Sequence, residues 1–161
     1  MNRFHHAFRR FAATLIGIVF LVSGLLKLHD PVGTGLIVSA YLRFFHLGAL
    51  VPAAKVFGAV LSLLESLLGA ALVTGTFRRI SAVLTEVIVA LFTLVTLILL
   101  IANPSMDCGC FGEAIHLSHL QSFLKNLVLL VLTGIAFVPF GAFGEPSRRK
   151  YVSFCIMAVS F

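Results

Sequence analysis

The chain has 161 residues, of which 60% are apolar and 11% charged, with a mean hydropathy of +1.09 and a net charge of +6. A globular domain carries about 25% charged residues, so too few are present to build a water-facing surface. The excess positive charge sits in short clusters beside apolar runs, a membrane-topology pattern that argues against nucleic-acid binding.

The first apolar segment runs from about Phe11 to Leu28 and follows Arg3, Arg9 and Arg10. It is longer than the apolar core of a secretory signal and lacks an adjacent small-residue cleavage site, so it reads as an uncleaved anchor. Lys27 near its end is expected to snorkel to the interface. Asp30-Pro31 then opens a mixed stretch through Val51, broken by Arg43 and His46, which reads as an interfacial or re-entrant helix rather than a span.

The second span covers about Val56 to Phe77 and the third about Ile80 to Ala102, joined through Arg78 and Arg79 in a tight helical hairpin. A polar loop follows from Asn103 to His119, and a fourth span from about Leu120 to Phe143. These spans predict an all-α polytopic four-helix membrane bundle over residues 1–145. Residues 146–161 then supply a basic link, Arg148-Arg149-Lys150, and the start of a fifth hydrophobic segment. Its 11 residues, Tyr151 to Phe161, would rise about 16 Å, half of a hydrocarbon core, which predicts a longer parent chain.

Arg3, Arg9, Arg10, Arg78, Arg79, Arg148, Arg149 and Lys150 share one side under this reading. The positive-inside rule puts that side and the N-terminus in the cytoplasm of a bacterial inner membrane. The loop from Asn103 to His119 contains no Lys or Arg and is expected in the periplasm.

That loop carries Asp107-Cys108-Gly109-Cys110-Phe111-Gly112. Disulfides persist on the outer side of the membrane. A bridge between Cys108 and Cys110 would close a very small, strained ring with an oxidising tendency. The nearby start of the fourth span would favour thiolate. Thiol redox chemistry is the expectation, against two inert loop cysteines. A zinc reading is also open, using Cys108, Cys110, His116 and His119, although the cysteines lie closer together than zinc ligands usually do. Cys155 reads as a packing residue.

Two carboxylates fall inside predicted spans. Glu65 lies beside a stripe of small residues, Gly58, Ser62, Ser66 and Ala70, which allows close helix packing. An ionisable group at this depth is expected to face another helix, with Lys125 of the fourth span as its expected partner. Structural pairing and proton handling near a quinone are both open, so Glu65 and Lys125 are the candidate cofactor-binding residues. Glu86 is expected to serve structure, reaching the interface near Arg78 or Arg79.

Ser23-Gly24-Leu25-Leu26-Lys27, Asp30-Pro31 and Tyr41 resemble the opening of DoxX-like membrane proteins, and Glu65, Gly69, Leu72 and Gly75 resemble that family's second-span pattern. The hexapeptide from Asp107 to Gly112, followed by Lys125-Asn126, is similar to the MauE branch. The resemblance covers about residues 10 to 140 and implies a four-helix membrane bundle associated with redox chemistry. MauE-type proteins support maturation of a disulfide-rich periplasmic dehydrogenase subunit in methylamine utilisation, and DoxX-type relatives are linked to quinone-coupled sulfur oxidation.

The expectation that results is a membrane thiol-redox protein. Cys108 and Cys110 would exchange electrons with a periplasmic thioredoxin-like or disulfide-containing client, with membrane quinone as second partner. The alternatives are a non-enzymatic assembly or anchoring subunit and an outward Cys/His metal-binding protein.

Overall fold

The computed structural model describes residues 3–103, 118–137 and 148–159. Six α-helices and one 3-10 turn make up its regular structure: α1 (Arg3–His29), α2 (Pro31–Phe44), the 3-10 turn Gly48–Ala53, α3 (Ala54–Thr74), α4 (Arg78–Ala102), α5 (His119–Phe137) and α6 (Arg148–Val159). Among the described residues there is no strand.

Among the described residues, four segments are long and apolar enough to cross a membrane: Phe8–His29, Gly48–Thr74, Arg78–Ala102 and His119–Phe137. They correspond to the four predicted spans. The observed helices differ mainly at their ends, with α1 beginning at Arg3 and α3 ending at Thr74. Large apolar side chains are exposed along each of the four, among them Leu15, Leu63, Leu91 and Val128. In water this surface would be costly; against lipid it is the expected one.

Local chemistry explains where the helices stop and start. Asp30 caps α2, its Oδ1 accepting from the Gly33 amide at 2.9 Å, with Pro31 as the first helical residue. At fourteen residues, α2 rises about 21 Å and is too short to span. It instead packs along α3, burying Gly33, Thr34 and Gly35. The hairpin between α3 and α4 turns on Gly75, a left-handed cap at φ 71°, and on Phe77, also left-handed at φ 46°. Glycine takes that conformation without steric penalty. A reciprocal capping box opens α5: the Gln121 amide donates to Ser118 Oγ at 3.2 Å, and the Ser118 amide to Gln121 Oε1 at 3.0 Å.

The most extensive helix contact is between α1 and α3, followed by α4 with α5 and α2 with α3. Small residues make the first approach possible. A methyl group on Gly69 would meet the Leu21 amide at 2.6 Å and the Gly17 carbonyl at 2.7 Å. One on Gly24 would meet the Ser66 amide at 2.7 Å. The predicted stripe of Gly58, Ser62, Ser66 and Ala70 is fully buried here. Its hydroxyls are satisfied within the helix, Ser62 donating to the Gly58 carbonyl at 2.7 Å and Ser66 to the Ser62 carbonyl at 2.9 Å.

Candidate functional site: a buried ion pair beside an apolar cavity

Because α1 and α3 approach so closely, polar side chains on their facing surfaces must satisfy one another. Ser23 and Lys27 lie four residues apart and therefore share a face of α1. That face meets Glu65 of α3. Lys27 Nζ lies 2.7 Å from Glu65 Oε1 and 2.8 Å from Oε2, and Ser23 Oγ donates to Oε2 at 2.9 Å. Lys27 is 5% exposed and Glu65 1%, so the pair is sealed from water. The ammonium also stands 5.6 Å from the centre of the Phe92 ring of α4, within cation–π range. Ion pair, hydroxyl and ring thus join three helices at one point.

Two expectations are corrected here. The partner of Glu65 is Lys27 and not Lys125, and Lys27 does not snorkel to the interface. The reason lies in α2, which folds over this end of α1; Thr34 of α2 donates to the Lys27 carbonyl at 3.1 Å. With that route covered, the ammonium turns inward to the carboxylate. Lys125 is half-buried and stays in the neighbourhood. With Glu65, Ser23, Phe92 and Asn126 it lines a void of about 20 Å³, room for about one water molecule. Asn126 Nδ2 donates to Thr96 Oγ1 of α4 at 3.3 Å, extending the polar seam into α5.

Beside the ion pair, on its α2 side, is a cavity of about 260 Å³. Its wall is mainly apolar, with Ile37, Leu42 and Phe45 from the α2 region and Leu91 and Phe92 from α4. Its polar groups are few: Lys27, Thr34, Tyr41 and Thr96. An apolar chamber with a small number of placed donors is the usual architecture of a small-molecule site. Sequence reading did not reach this cavity. The four-residue spacing of Ser23 and Lys27, which puts both on one face of α1, is the signal that could have found the ion pair.

Glu86 is half-buried, and its Oε2 is buried without a hydrogen-bond partner among the described residues. Arg78 donates from Nε to the Gly75 carbonyl at 3.2 Å.

Cys108, Cys110 and His116 lie outside the described residues. His119 is the first residue of α5. The segment carrying the cysteines joins the end of α4 to the start of α5. In this antiparallel bundle it starts and finishes at the same end as the α1–α2 junction beside Lys27. Cys155 is exposed on α6, and the neighbouring Phe154 meets Phe77 of the α3–α4 hairpin edge-on at 5.7 Å. That hairpin is at the opposite end of the bundle.

No curated protein and no solved structure matches the chain. Residues 5–139, which take in all four long apolar helices and the segment with the cysteine pair, match the family model described as methylamine utilisation protein MauE, and the chain belongs to that family.

Proposed function

We propose that this multi-pass membrane protein is a thiol-redox protein in which Cys108 and Cys110 exchange electrons with a periplasmic client. Membership of the MauE family fits a membrane protein involved in methylamine utilisation. The observation that carries the finer reading is topological. The Cys-Gly-Cys segment is anchored at the end of the bundle where an apolar cavity adjoins a buried Lys–Glu pair.

In the oxidising direction favoured by a strained ring, a client thiolate attacks the Cys108–Cys110 disulfide and forms a mixed disulfide. The second client thiol resolves it. The client is oxidised by two electrons, and Cys108 and Cys110 are left as thiols. Reoxidation returns two electrons and two protons to an acceptor. A membrane quinone suits the apolar cavity, with Lys27 as the cation on its wall and Glu65 paired behind it, while Lys125 lines the small neighbouring void and not this cavity.

Cys110 is the cysteine nearer in sequence to the start of α5, and we assign it as the attacking thiol when the pair acts as reductant. Cys108→Ser should then accumulate a client mixed disulfide on non-reducing gels, and Cys110→Ser should not. Either replacement should abolish client maturation. Full maturation in both variants would sink the redox reading and favour the assembly or anchoring subunit. Zinc bound stoichiometrically to the reduced protein and lost in His116→Ala would favour the metal-binding alternative.

A further inference from the structure

The chamber beside Lys27 has two walls that do not close on each other. α2 packs mainly on α3, and α4 mainly on α5. Among the described residues α2 and α4 make no extended helix contact, so Ile37 and Leu42 face Leu91 and Val95 across an open cleft. Leu91 lines the chamber yet is 53% exposed, which puts it at the mouth. It also lies near the middle of α4, so the mouth opens deep in the apolar belt. At that depth the surroundings are hydrocarbon, and water is not the medium of exchange.

The wall also limits what can bind. An ammonium carries three N–H groups, and Lys27 directs two of them at Glu65 Oε1 and Oε2. One donor is left beside the chamber. Thr34 and Thr96 spend their hydroxyl protons on the Lys27 and Phe92 carbonyls, at 3.1 Å and 2.8 Å. Among the described residues no carboxylate lines the chamber. Glu65 already balances the ammonium charge, so an anion would meet a neutral pair and lose its hydration for little return. A neutral acceptor oxygen, such as a carbonyl, matches a single donor at the end of an apolar space. The volume of about 260 Å³ is just below the roughly 300–1,000 Å³ of drug-sized sites, which suits a compact head with its tail in the cleft.

We infer that the chamber takes a neutral, membrane-dissolved carbonyl compound, which enters sideways from the bilayer between α2 and α4 and docks its oxygen on Lys27. This rests on the reading of the chamber as a small-molecule site, but on neither Cys108 nor Cys110. Photolabelling of the full chain in lipid nanodiscs with a decyl-substituted benzophenone tests it. That probe is itself a neutral lipophilic ketone, and under illumination it bonds to C–H groups around its carbonyl, which peptide mass spectrometry locates.

Labelling should saturate and concentrate on residues 37–45 and 91–96, which carry the two walls. Lys27→Met combined with Glu65→Leu should raise the half-saturating concentration about tenfold, the loss of one charge-assisted hydrogen bond. Leu91→Trp should block the mouth and abolish chamber labelling. Leu94→Trp, at a position equally exposed on α4 but outside the chamber, should leave it unchanged. Both tryptophans replace outward-facing leucines, so neither challenges the fold. The Cys108→Ser, Cys110→Ser double variant should label like the parent chain. Persistence there with client maturation lost keeps this site and the redox reading apart. Labelling spread evenly over the lipid-facing surfaces, or undiminished in Leu91→Trp, would overturn the site and leave the redox reading standing. Equal chamber labelling by benzophenone-4-carboxylate added from water would overturn both membrane entry and the preference for a neutral ligand.

Discussion

Glu65 has both carboxylate oxygens within 2.8 Å of one ammonium and a serine hydroxyl on the second oxygen. Removing either charge leaves the other buried, and the penalty for that is larger than the net stabilisation from the intact pair. Glu65→Ala and Lys27→Ala should therefore each cost about 3–5 kcal/mol in denaturant unfolding of the micellar protein. The double variant Lys27→Met with Glu65→Leu should recover most of the loss, because apolar groups of similar volume need no partner. Lys125→Ala should cost clearly less than Lys27→Ala. Strict additivity of the Lys27 and Glu65 losses would exclude the direct coupling. If the apolar double variant is stable yet fails to support maturation of the proposed client, the pair handles protons or ligand as well as holding the bundle. The sequence made Glu65 legible through its small-residue stripe. It hid Lys27 because a lysine two residues from a helix end reads as water-bound unless the next helix is known to cover it.

At the scale of helices, the contact between α1 and α3 depends on missing methyl groups. Gly24 and Gly69 have backbone atoms of the partner helix within 3 Å of where a Cβ would stand, and backbone cannot swing aside as a side chain can. Gly24→Ala and Gly69→Ala should each force the helices apart and cost about 1–3 kcal/mol, the range for overpacking. Gly134→Ala in α5 is the control. Nothing lies within 4 Å of its added methyl, so it should be neutral or stabilising by about 0.5–1 kcal/mol. Melting temperatures of the three variants in one detergent would decide it, and a Gly134→Ala loss equal to the other two would refute the packing argument. The number and extent of the spans were legible because apolar length alone sets them. The position of α2 was not, since a fourteen-residue amphipathic stretch has no length signal to say which surface it covers. The cavity beside Lys27 depends on α2 and was hidden with it.

For the whole molecule, the antiparallel order of the four long helices gives the bundle two chemically distinct ends. Arg9, Arg10, Arg78 and Arg79 gather at one, with α6 against the hairpin there. The Cys108–Cys110 segment joins helices at the other. This arrangement supplies an internal standard for orientation, because Cys155 of α6 and the cysteine pair belong to opposite ends. Under the proposed positive-inside orientation, the arginine end faces the cytoplasm. Single-cysteine variants should then respond oppositely to a membrane-impermeant thiol reagent. A chain retaining only Cys108 or only Cys110 should be labelled in intact cells. One retaining only Cys155, which is exposed on its helix, should be labelled only after the cytoplasmic face is opened. The reverse pattern would invert the protein, place the cysteine pair in a reducing compartment where a strained disulfide would not persist, and remove the basis for client oxidation. Labelling of both from outside would mean that α6 does not stay with the α3–α4 hairpin, and it would break the link between bundle architecture and sidedness on which the redox proposal depends.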